Sequence, residues 1–130
     1  MKKYALTVFR KSGYLHIRVT GTNSLETVRS YLMEVHAACL RRKARAVLIE
    51  EHLKGPGLGV LDIFSVVSAR LEEDPPKLNY IAYVDTHPAH QPALMQFMEN
   101  VAVNRGVNVR VFPNVRKAQA WLVASLKAEG

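Results

Sequence analysis

A chain of 130 residues, 48% apolar and 22% charged, can bury one continuous core and has the composition of an ordinary globular domain. Its single cysteine, Cys39, excludes an internal disulfide and a thiolate metal cage, and so points to a reducing cytoplasm. The net charge of +7 is uneven, with eleven Lys/Arg against five Asp/Glu in residues 1–65 and seven against six in residues 66–130. The opening MKKYALTVFRK has too short an apolar run for a signal-peptide core, and no segment approaches a membrane span. The densest basic cluster, Arg41, Arg42, Lys43 and Arg45, falls where the first helix should end. Cations there offset the helix dipole, so the charge alone does not call for nucleic acid.

In chain order, residues 4–9 and 14–20 read as strands joined by Arg10-Lys11-Ser12-Gly13, a connection suited to an antiparallel hairpin. Leu15, Ile17 and Val19 alternate with His16, Arg18 and Thr20, placing His16 and Arg18 on the more polar face. His16 is expected to be solvated or hydrogen-bonded rather than catalytic. Asn23 and Glu26 have the spacing of a capping box, and Leu25, Val28, Leu32, Val35 and Cys39 form an apolar stripe over a helix ending near Lys43. Cys39 on that stripe reads as a small buried hydrophobe.

Residues 46–50 form a short apolar strand, followed by the loop Glu51-His52-Leu53-Lys54-Gly55-Pro56-Gly57-Leu58-Gly59. Val60, Phe64, Val67 and Leu71 predict a second helix, ended by Pro75-Pro76. Residues 80–84 are apolar on both faces, as a central strand is. A third helix opens at Pro88 or Pro92, carries Leu94, Met98 and Val101 beside Phe97 and Ala102, and stops at Gly106. Val107, Val109 and Val111 make the last strand. Asn114 caps a final helix with Val115, Ala118, Leu122 and Leu126 beside Trp121. The expected architecture is one α/β domain over residues 1–130, ordered ββαβαβαβα. Its five-stranded sheet is mixed and mostly parallel, opens on the antiparallel hairpin, and is covered by four helices on both faces.

Few residues offer chemistry. The glycine loop matches neither phosphate-binding pattern: Lys54 precedes the glycines with no Ser/Thr after Gly59, and Asp62 stands where a dinucleotide fold needs its third glycine. Glu50, Glu51 and His52 are the nearest thing to an acid–base cluster, but adjacent strand residues point to opposite faces. Asp85, His87 and His90, with His52, could ligate a metal, although their spacing fits a helix-entry turn better. Ser65 and Ser68 have no adjacent histidine base. The last strand has valines where an RNA-recognition strand needs its internal aromatics, so nucleic acid is not expected as a partner.

The ββαβαβαβα order, Asn104-Arg105-Gly106 before the last strand, and Ala118 with Trp121-Leu122 in the last helix resemble the STAS-like group, in particular the SpoIIAA-like proteins. That resemblance implies the fold of anti-sigma-factor antagonists, a non-enzymatic regulatory role and no cofactor. Family members carry a phosphorylatable serine between the third strand and second helix; here the stretch is Lys54-Gly55-Pro56-Gly57-Leu58-Gly59, which has no hydroxyl residue. Some relatives also resemble lipid-carrier domains. The expected function is therefore binding of a regulatory protein partner through His52, Lys54, Gly57, Leu58, Gly59, Val60 and Leu61. The alternatives are a carrier of a small apolar ligand and, behind it, a metal-dependent enzyme using His52, Asp85, His87 and His90. A homodimer is compatible with the sequence.

Overall fold

The computed structural model describes residues 3–55, 78–86, 92–104 and 108–129. The elements are strand β1 (Tyr4–Arg10), strand β2 (Leu15–Thr22), helix α1 (Leu25–Arg41), strand β3 (Ala46–Lys54), strand β4 (Tyr80–Asp85), helix α2 (Pro92–Asn104), strand β5 (Val109–Phe112) and helix α3 (Val115–Glu129). They form one five-stranded sheet in the order β1-β2-β3-β4-β5, antiparallel between β1 and β2 and parallel thereafter. The expected mixed α/β sheet is thus present, with three helices among the described residues. The helix expected from Val60 to Leu71 lies outside them, as do His87, His90 and Gly106.

The core lies in two layers because strand side chains alternate. Leu15, Ile17 and Val19 of β2 and Val47, Ile49 and Leu53 of β3 face α1, where Tyr31, Val35, Ala38 and Cys39 are buried. Ala46, Leu48, Ala82 and Val84 face α3, which closes over them with Ala118 and Leu122. Each fully buried aliphatic side chain contributes about 1.5–3 kcal/mol. Burial also raises the Cys39 thiol to about 11, against only partial relief from Arg42, so the inert, buried reading of this cysteine holds.

Three local expectations shift. The α1 N-cap is Ser24, not Asn23: the Ser24 hydroxyl accepts from Thr27 N–H at 3.1 Å, while Asn23 N–H donates to Lys54 C=O at 2.8 Å and so ties α1 to the end of β3. The buried face of α1 is centred on Thr27, Tyr31, Val35 and Ala38, one step round from the aliphatic stripe, because Tyr31 reaches an acceptor inside the sheet. Phe97 is 40% exposed, whereas Val101 on the same helix is buried. At α3 the expectation stands, with Lys117 N–H donating to Asn114 Oδ1 at 2.9 Å. Among the described residues no helix is long and apolar enough to cross a membrane.

Candidate functional site

β3 runs four residues beyond its expected end, because β2 continues beside it in parallel register as far as Thr22 opposite Lys54. This corrects the sequence reading: His52 and Lys54 belong to the strand, not to a loop. Gly55, at φ +118, then turns the chain out of the sheet in a conformation that favours glycine.

Alternation sends Glu50 and Glu51 to opposite faces, as expected, and each becomes the centre of its own polar cluster. Glu50 is 8% exposed and stands opposite Arg18 of β2. Its Oε1 accepts from His16 Nε2 at 2.7 Å and from Arg18 Nε at 3.4 Å, and its Oε2 contacts His52 Nε2. Phe9 of β1 completes the group, its ring 5.5 Å from that of His16 and 5.3 Å from the Arg18 guanidinium carbon. Burial acts to raise the Glu50 pKa, but the hydrogen bonds from His52 and His16 and the charge of Arg18 outweigh it and hold the carboxyl below its ordinary value. A buried carboxylate with three donors is a hub that fixes its neighbours. His52 and Arg18 are its outward members, with side chains 37% and 46% exposed.

His52 is held from its other side too. Its Nδ1 lies 3.1 Å from Thr86 Oγ1, just past the end of β4. That hydroxyl donates to Glu51 C=O at 2.9 Å, and Thr86 N–H donates to the same carbonyl at 3.2 Å. The hydroxyl–imidazole–carboxylate order superficially matches a nucleophile, base and orienter. The single hydroxyl hydrogen is committed to the backbone, however, so Thr86 clamps the turn rather than waiting for His52 to deprotonate it.

Glu51 is 2% exposed and faces α1. It accepts from the Tyr31 hydroxyl, and from the Tyr83 hydroxyl at 2.5 Å. Burial first, then the Glu51 charge, pushes both phenols well above the ordinary tyrosine value, and the charge of Asp85 adds to the effect. This cluster is sealed between helix and sheet and holds the two together.

The structure therefore brings His52 into a cluster with Glu50, His16 and Arg18. It sets Lys54 two residues further along the same strand face, exposed and opposite Thr22. Gly57, Leu58, Gly59, Val60 and Leu61 lie outside the described residues. Asp85 sits opposite Glu51 on the α1 face, so it does not join His52. Among the described residues no three His, Cys, Asp or Glu side chains are arranged to hold a metal ion. His16 and Arg18 were missed as site members. The signal lay in the parity of the two strands: once β2 and β3 are parallel with Arg18 opposite Glu50, positions 16, 18, 50 and 52 must share a face.

By sequence the chain matches no protein-family model and no curated protein. By structure it is similar to an uncharacterised protein of the DUF3478 family with a SpoIIAA-like fold from Shewanella loihica PV-4. That similarity has a TM-score of 0.56 and 14% identity, over 94% of this chain and 95% of that one. It is also similar to an anti-sigma factor antagonist from Mycobacterium paratuberculosis, with a TM-score of 0.53 and 12% identity over 92% and 93% of the two chains. At these identities the likeness concerns architecture: the chain has the SpoIIAA-like, STAS-like fold that its element order and final strand–helix unit resemble.

Proposed function

We propose that the chain is a single, cytoplasmic, non-enzymatic regulatory domain of STAS-like type that binds a partner protein at the carboxyl end of β3. The contact surface comprises His52 and Lys54, with Arg18 beside them and Gly57, Leu58, Gly59, Val60 and Leu61 following in the chain. The carboxyl ends of parallel strands are where open α/β sheets place their ligands. Similarity of fold to an anti-sigma factor antagonist supports a protein as the partner class.

The observation that carries the non-enzymatic reading is the engagement of both His52 ring nitrogens, one on Glu50 and one on Thr86. A general base needs a nitrogen within reach of substrate. Here the imidazole is locked as a recognition surface by Glu50 Oε2, while Glu50 Oε1 is taken by His16 and Arg18. The apolar-carrier alternative depends on the helix expected over residues 60–71, and no described residue favours it.

The test is affinity purification of the wild type, His52→Ala/Lys54→Glu and Leu58→Asp/Leu61→Asp from source-cell lysate. Bound proteins are quantified by mass spectrometry, and circular dichroism confirms folding. Both double variants are expected to lose the same partner. Retention of every copurifying protein by folded variants would remove this surface from consideration.

A further inference from the structure

The two edges of the sheet are built differently. β5 is four residues long, the outward N–H of Val111 donates to Glu99 of α2 at 2.9 Å, and Pro113 follows with no N–H to offer. A short strand with its edge donor already taken is a poor template for another chain. β1 has none of these devices. It is seven residues long, contains no proline, and pairs with β2 one for one from Tyr4 opposite Gly21 to Arg10 opposite Leu15, without a bulge.

The hydrogen-bond phase of the hairpin decides which backbone groups of β1 face outward. Lys11 N–H donates to Tyr14 C=O at 3.0 Å and Thr22 N–H donates to Lys3 C=O at 2.9 Å. In an antiparallel ladder, Ala5, Thr7 and Phe9 between them then also bond to β2, and Leu6, Val8 and Arg10 turn their N–H and C=O groups away. Among the described residues nothing bonds to the outward groups of Leu6 and Val8. The side chains of Leu6 and Val8 pack against the α1-side core, so this backbone row is already held extended. Ala5 and Thr7, small and exposed, leave the opposite face of the strand clear.

We propose that β1 is a docking edge for an extended segment of a partner protein, one with an uncharged, β-forming centre and acidic residues at both ends. The charge pattern favours this occupant over a second copy. Residues 4–9 carry no charge, while Lys3 precedes them and Arg10 and Lys11 follow. Two copies of β1 pairing antiparallel, with Leu6 of one opposite Val8 of the other, would set Lys3 against Lys11 at both ends. Like charges directly opposite destabilise a strand pair. A strand flanked by Asp or Glu meets a cation at each end instead. Main-chain bonds would supply affinity and the flanking charges would supply register and choice of partner. This edge is separated from β3 by the whole of β2, and the proposal does not rest on the reading of the His52 site.

The test uses the full chain and a synthetic Val/Thr strand peptide flanked by Asp and Glu, N-methylated at alternate backbone nitrogens so that only one of its edges can pair. Binding is expected by calorimetry, with amide exchange slowed at Leu6 and Val8. The same peptide flanked by Lys is expected to bind at least about tenfold more weakly. Lys3→Glu/Arg10→Glu should reverse that preference, and Thr7→Lys, which sets a charge mid-edge, should weaken binding about tenfold without lowering the melting temperature. His52→Ala should leave peptide binding unchanged, which separates this surface from the β3 site. Equal binding of the two peptides, binding of neither, or a sedimenting dimer that Thr7→Lys dissociates would each overturn the proposal, the last by identifying a second copy as the occupant.

Discussion

His16 of β2 stands opposite Leu48 of β3, yet its Nε2 reaches one alternation further along the partner strand to meet Glu50 Oε1 at 2.7 Å. Both residues are buried, so the contact is a charged acceptor satisfied inside the sheet surface rather than a solvated pair. Replacing Glu50 by Ala leaves the buried His16 without its acceptor and removes the anchor of the outward Arg18 and His52. The expected loss in unfolding free energy is about 2–4 kcal/mol, since removing one partner of a buried charged network costs more than the network's net contribution. Glu50→Gln keeps the volume and one acceptor and should cost about half as much. Urea melts of the two variants check this, and an unchanged midpoint for Glu50→Ala would mean the cluster is solvated and contributes nothing.

Acid should weaken the protein through the same carboxylate. Glu50 is held below its ordinary pKa in the folded chain, and in the unfolded chain it titrates at about 4.3. As pH falls, the unfolded state therefore takes up this proton first. The stabilisation from Glu50 is complete above about pH 4.3 and is lost as the pH falls through the lower folded value. Glu50→Gln should make unfolding free energy less steep with pH in that acid window. Parallel acid limbs for wild type and variant would contradict the assignment.

The cluster on the opposite face works in the alkaline direction. Tyr31 and Tyr83 share the buried acceptor Glu51, and both phenols are raised well above their ordinary value, first by burial and then by that charge. Unfolded tyrosine ionises near pH 10, so the stability they contribute is present below about pH 10 and falls away as the pH rises further. In an absorbance titration these two of the chain's five tyrosines should ionise together with loss of the circular-dichroism signal, not before it. Tyr31→Phe should cost about 1–2 kcal/mol at neutral pH, as one donor to a buried carboxylate is lost. Full phenol ionisation with the fold intact would refute the sealed arrangement.

What could be read in the sequence follows from which interactions are local. Strand alternation at Leu15, Ile17 and Val19 and the Asn114 cap are written in neighbouring residues, and the sheet and its parallel order followed from them. The end of β3 is not local: residues 51–54 remain strand because β2 lies alongside them, and Gly55 alone marks the exit. Ser24 takes the cap from Asn23 for a similar reason, since Asn23 is needed to anchor Lys54. Tyr31 was hidden because an aliphatic stripe takes no account of a buried carboxylate on another element. The site was therefore half legible, His52 by its position and Glu50 by its chemistry. His16 and Arg18 emerge only once the register of two strands distant in sequence is known.

The hairpin that carries the free edge offers the sharpest steric test. Gly21 lies in β2 opposite Tyr4 with φ +140, a conformation that side chains rarely adopt. A Cβ there would sit 2.3 Å from Lys3 C=O and 2.6 Å from Tyr4 Cα, both backbone atoms that cannot rotate aside. Thr22 N–H bonds to that same Lys3 carbonyl, so relief of the clash would cost the last rung of the hairpin. Gly21→Ala should therefore destabilise the chain by about 3 kcal/mol or more, well beyond an ordinary strand substitution. Amide exchange should quicken first at Ala5 and Thr22, ahead of β3 and β4. A Gly21→Ala protein as stable as the wild type would show that the start of β1 is not pinned here, and would also remove the rigidity on which the docking edge depends.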